Sequence, residues 1–251
     1  MWIPLVWLVG TLLPMIFLNR WLTRRLYAVG FLITQNRNWA FIFYFLIMFP
    51  GIVVHELSHW LVAKVLGLRP GKITLWPKKV AGGYRQLGSV TVAVADPLRM
   101  SLVGAAPLLA GAGLIMLIGT LAFDLRGLNE AFVLGDVRWF LSLLGQSLRV
   151  PDFWLWLYAI FAISNSMLPS ESDRRAWLPV GLFLAAMLIV IIVVGGVPRL
   201  PAPVVDSVLG AIEYLDTALL ITLLIDLIFV PIIAGAEWLL SLITGKRVSV
   251  K

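Results

Sequence analysis

Trp39-Ala40-Phe41-Ile42-Phe43-Tyr44-Phe45-Leu46-Ile47-Met48-Phe49-Pro50-Gly51-Ile52-Val53-Val54-His55-Glu56-Leu57-Ser58-His59 is the stretch that decides how this chain folds. Its leading portion is apolar and uncharged, as a helix crossing hydrocarbon must be. It then runs into an HExxH motif that contains both of the chain's 2 histidines. On a helix, residues four apart share a face, so both imidazoles can reach one metal ion. Glu56, beside the first histidine, is placed to act on a metal-bound water. In a soluble protein such a pattern is often a chance match. Inside a membrane, two imidazoles and a carboxylate are costly to bury, and that cost argues for a function.

The rest of the chain agrees with a membrane setting. Of 251 residues, 61% are hydrophobic and 13% charged, and the mean hydropathy is +0.96. Soluble domains carry about 25% charged residues and lack repeated apolar runs of membrane length. The net charge of +7 is scattered between apolar spans, without a basic stripe interleaved with aromatics, so nucleic acid is not an expected partner. The absence of cysteine excludes disulfides, cysteine-ligated zinc and thiol catalysis.

These features predict an all-α polytopic membrane protein forming a single domain over residues 1–251. Hydropathy places six spans near Trp2–Leu18, Trp39–Leu66, Leu98–Phe123, Phe153–Leu168, Trp177–Val194 and Tyr214–Ile243. The first lacks a positive n-region and a cleavage site, and reads as a retained helix rather than a signal peptide. Residues 20–38 read as an interfacial helix or the end of the first span, and Asn129–Arg149 as an amphipathic surface helix. Between the second and third spans, Lys72–Trp76 and the alternating Ser89–Ala95 flank Gly82-Gly83 and predict a small β-hairpin. Its roles divide between an edge that receives an extended peptide and a cap over the mouth of the bundle. Counting Lys and Arg puts eleven on the side of the hairpin and the C-terminus and eight opposite, which favours both termini in the cytoplasm. No PDZ-like or other soluble domain is read between the spans.

A catalytic zinc needs a third protein ligand, and with no cysteine or further histidine it must be a carboxylate. Asp173 closes the segment after the fourth span, where Pro169 breaks the helix and lets the backbone redirect a side chain. The second and fourth spans run parallel in a six-span alternation, which brings Asp173 to the membrane side of His59. Asp226, inside an apolar run, is a rival ligand, and Glu171 is another.

Taken together, His55, Glu56 and His59 with Asn165 and Asp173 resemble the site-2 protease family of intramembrane zinc metalloproteases. That family carries HExxH in one membrane helix and Asn-x-x-Pro…Asp-Gly two spans later. Pro169 comes one residue later than that pattern, and Arg174 stands where the family has glycine. The intervening Gly-Pro-x-x-Asn signature is at best Ala106-Pro107-Leu108-Leu109-Ala110. The resemblance covers about residues 39–175, flanked by 1–38 and 176–251, and describes a divergent member without a PDZ domain. It implies that His55, His59 and Asp173 bind Zn²⁺, that Glu56 activates water, and that the substrate is a transmembrane or membrane-anchored protein. The implied setting is the plasma membrane of a prokaryote, with the site towards the cytoplasm. Asn165 is then a donor to substrate or to the developing oxyanion, worth roughly 3 kcal/mol. Otherwise it makes a helix–helix hydrogen bond of about 0.6 kcal/mol. The competing reading is a catalytically silent relative serving as membrane scaffold or chaperone.

Overall fold

The computed structural model describes residues 3–79, 85–93, 95–195, 201–246 and 248. Among these residues, eight helices and four short strands follow in the order α1 (Ile3–Thr34), α2 (Arg37–Val65), β1 (Pro70–Thr74), β2 (Lys78–Lys79), β3 (Arg85–Gln86), β4 (Ser89–Val92), α3 (Pro97–Ala122), α4 (Leu125–Val133), α5 (Val137–Ser147), α6 (Phe153–Ser166), α7 (Trp177–Gly195) and α8 (Ala202–Thr244). The chain is mostly helical, and α2, α3, α8 and Val6–Thr34 of α1 make four helices long and apolar enough to cross a membrane. The fourth and fifth expected spans correspond to the shorter apolar helices α6 and α7.

Local chemistry sets the boundaries. The expected interfacial segment after Arg20 simply continues α1 to Thr34, where Gln35 turns the chain at φ 53°. Asn36 then caps α2 by accepting the Asn38 N–H at 2.8 Å. The expected single surface helix over Asn129–Arg149 is two helices, because Gly135 takes φ 68° between α4 and α5. Asp136 caps the second by accepting the Trp139 N–H at 2.9 Å. α6 stops at Ser166, three residues before Pro169, whose ring disfavours helix in the residue preceding it.

The hairpin forms as an antiparallel pair, with Ile73 opposite Val90 and Thr74 opposite Ser89; β2 and β3 pair beyond it. The second strand ends at Val92 rather than Ala95, and the Gly82-Gly83 turn lies outside the described residues. Trp76 meets Phe45 edge-on at 5.6 Å. Phe45 is fourteen residues before His59, about 21 Å along α2, so the hairpin region reaches back along the flank of that helix.

Contacts between helices give their directions. Gly51 of α2 lies against Ala162 and Ser166 of α6, and the Tyr158 hydroxyl donates to the Ile47 carbonyl at 2.8 Å, so α2 and α6 are parallel. Gly104 and Gly111 of α3 meet Asp173 and Met167, and Phe123 meets Phe153, so α3 opposes α6. Gly30 against Ala40 and Phe43 sets α1 antiparallel to α2. α8 runs with α1: Thr11 donates to Asp216 at 2.7 Å, Arg25 pairs with Glu237 at 2.8 Å, and Lys246 donates to Gln35 at 2.6 Å. The core between them is built from Met15, Leu22, Phe45, Met48, Phe161 and Leu219. Such bundles cohere through close packing and interhelical hydrogen bonds, which is why glycines occupy the tightest approaches.

Candidate metal centre

His55 and His59 sit one turn apart on α2, and Asp173 reaches them from the turn that follows α6. Among the described residues, these three form the group of metal-ligating type, with ligand atoms within 4.8 Å of one another. The two Nε2 atoms are 3.2 Å apart. Asp173 Oδ1 lies 3.3 Å from His59 Nε2, and Oδ2 lies 3.6 Å from His55 Nε2.

Backbone carbonyls fix both rings. His55 Nδ1 lies 2.7 Å from the Ser166 carbonyl and His59 Nδ1 lies 2.8 Å from the Val103 carbonyl. A carbonyl only accepts, so each Nδ1 carries a proton and donates it. In neutral imidazoles this turns both Nε2 lone pairs, together with a carboxylate, towards one point. Three acceptors so placed repel unless a cation lies among them or one ring becomes imidazolium. The spacing suits a cation: two nitrogens at about 2.05 Å from a tetrahedral zinc stand roughly 3.3 Å apart. Histidine ligands that donate their other nitrogen to a carbonyl are the usual outer-shell arrangement of such sites.

Packing brings these carbonyls into place. A Cβ on Gly51 would run into the Ala162 carbonyl and the Ser166 hydroxyl, so glycine there lets α6 approach α2 closely enough for Ser166 to hold His55. A Cβ on Gly104 would run into the Asp173 carbonyl, so a second glycine seats the Asp173 turn on α3. Asp173 also accepts the Ser170 N–H at 2.8 Å. Burial alone would raise its carboxyl, but the Nε2–H groups that His55 and His59 present as imidazolium, together with the Ser170 N–H, outweigh it and hold the group well below the usual carboxylate range.

Glu56 is buried and lines the same cleft of about 940 Å³ as His55, His59 and Asp173. Gly88, just before β4, lies against its side chain, so the hairpin covers the glutamate directly. β4 lines the cleft from Ser89 to Val92, and Arg175, just before α7, and Pro179, in its first turn, line it as well.

Asn165 lines the cleft as well, yet its amide is engaged within the bundle. Its Nδ2 donates to Asp226 Oδ1 at 2.7 Å and to the Phe161 carbonyl at 2.9 Å, while its Oδ1 accepts from Asn19 at 2.9 Å. Asp226 is fully buried beside it and lies outside the group of His55, His59 and Asp173; its Oδ2 has no partner among the described residues. Glu171 is exposed and also lies outside the group. Sequence reasoning missed Ser166, Val103, Asn19 and Gly88. Two of these act through backbone carbonyls, which leave no mark in side-chain identity. No protein family, curated protein or solved structure matches the chain.

Proposed function

We propose that this chain is an intramembrane zinc endopeptidase, a divergent relative of the site-2 proteases, that cuts membrane-anchored peptides. The observation that carries the reading is the convergence of two Nε2 lone pairs and the Asp173 carboxylate, with Glu56 lining the same cleft. His55, His59 and Asp173 would bind the ion. Zinc supplies Lewis-acid activation of water and polarisation of a scissile carbonyl. Glu56 accepts the proton of the attacking water and returns it to the leaving amine, a role worth about 10²–10⁴ in rate. The β4 strand, whose described pairing is with β1 alone, borders the cleft and offers main-chain groups to an extended peptide. A helical substrate must unwind to expose a carbonyl, and pairing with a strand compensates the backbone bonds it loses.

The chain is read as multi-pass, in a prokaryotic plasma membrane, with the cleft towards the cytoplasm. One observation favours the silent scaffold: every amide donor of Asn165 is occupied internally, so donation to substrate requires an exchange of partners. Zinc stoichiometry of detergent-purified protein tests the site. About one zinc per chain is expected, lost in His59→Ala and Asp173→Ala and retained in Asp226→Ala. Glu56→Gln should keep the zinc and abolish peptide cleavage. Zinc-free native protein, or full function in Glu56→Gln, overturns the protease.

A further inference from the structure

The helix directions leave α7 without a crossing to make. α1, α3 and α8 run one way and α2 and α6 the other, so these five already alternate as consecutive passes. α6 delivers the chain to the end of the bundle that carries the metal cluster, and α8 sets out from that same end. α7 begins there too: Trp177 Nε1 donates to the Ser101 carbonyl at 3.3 Å, two residues from the Val103 carbonyl that orients His59.

Distances exclude a sixth pass. Gly30 lies against Ala40; nineteen residues from each, along antiparallel helices, stand Thr11 and His59, so Thr11 is level with the cluster. Thr11 bonds Asp216, and Ala202 precedes Asp216 by fourteen residues of helix, about 21 Å beyond that level. Were α7 to climb the bundle, its 19 residues would end about 28 Å away in the opposite direction. The chain from Gly195 to Ala202 would then have to bridge roughly 49 Å, whereas seven residue steps reach about 25 Å at full extension.

Yet α7 is apolar on every side. Leu182, Phe183, Leu184 and Ile192 point about a quarter-turn apart and are 63, 68, 49 and 42% exposed. No Asp, Glu, Lys or Arg lies between Trp177 and Gly195. A helix apolar all round belongs in a protein core or in lipid, and the main packing partner of α7 is α3, near its own start.

We propose that α7 lies within the leaflet on the metal-cluster side, its apolar surface covered by lipid hydrocarbon. The chain then makes five crossings rather than six, and its two ends face opposite sides of the membrane. Because Arg175 and Pro179 line the cleft, α7 leaves from the cleft rim and gives the site a wall within the lipid.

The chain has no cysteine, so single-cysteine variants of the full-length protein report without background. In sealed vesicles treated with an impermeant maleimide, Lys72→Cys, Asp206→Cys and Ser207→Cys should label from one side. Asp136→Cys and Lys246→Cys should label from the other. Labelling of Asp206→Cys and Ser207→Cys together with Asp136→Cys means that α7 crosses, and overturns the proposal. The two neighbouring positions guard against one poorly folded variant. Nitroxides at Leu182→Cys and Ile192→Cys in nanodiscs should collide with oxygen severalfold more than with a polar nickel chelate. Preference for the chelate, or spin–spin broadening between two copies, rejects lipid as the covering. These readouts need no bound zinc, so they stand or fall apart from the protease reading.

Discussion

Replacing Gly51 with alanine probes the contact on which His55 depends. The new methyl would lie inside van der Waals range of the Ala162 carbonyl and the Ser166 hydroxyl. An ordinary carbon–oxygen approach is about 3.3 Å, so α2 and α6 must separate by more than about an ångström. The His55 Nδ1 to Ser166 carbonyl distance of 2.7 Å then opens past hydrogen-bonding range. Overpacking of this kind costs about 1–3 kcal/mol of stability. Loss of an outer-shell partner weakens metal binding about 10- to 100-fold, or roughly 1.4–2.7 kcal/mol. Zinc affinity would be measured by competition with a chromophoric chelator in detergent, and thermal unfolding of the same samples would report stability. Gly113→Ala serves as control, because nothing lies within 4 Å of a Cβ there. Wild-type affinity and stability in Gly51→Ala would show that the α2–α6 approach does not orient the ligand.

Two further outcomes follow from the same geometry. Protons compete with a metal at both Nε2 atoms, so zinc affinity should fall as pH drops, and the limiting slope of log Kd against pH should approach two protons per metal. Asp173 should add no third proton, because its neighbours keep it ionised below the usual carboxylate range; a slope near three rejects that. The Arg25–Glu237 pair, with contacts of 2.8 and 3.0 Å, ties α1 to α8. Arg25→Met should destabilise by roughly 1.5–3 kcal/mol, and Glu237→Leu added to it should recover most of the loss; additive losses in the double variant would mean the pair is not coupled.

Much of this protein can be read from its residues in order. The charge-free apolar run from Trp39 and the overall hydropathy require helices in a membrane, because lipid offers the backbone no other partner. The i, i+4 spacing of His55 and His59 puts both rings on one face, since helical periodicity is local. The alternation in Ser89–Val92 marks a strand for the same reason. Tertiary structure alone groups Asp173, rather than Asp226 or Glu171, with the two histidines, because a carboxylate more than a hundred residues away is brought there by how α6 ends and packs, which no spacing encodes. It also supplied the Ser166 and Val103 carbonyls, engaged Asn165 with Asn19 and Asp226, and laid the hairpin along α2. Hydropathy alone does not settle how α7 sits, because it reports only whether a segment prefers lipid. Whether it crosses depends on where the next helix begins, and the contacts of α8 with α1 and α6 place that start on the side α7 had already reached.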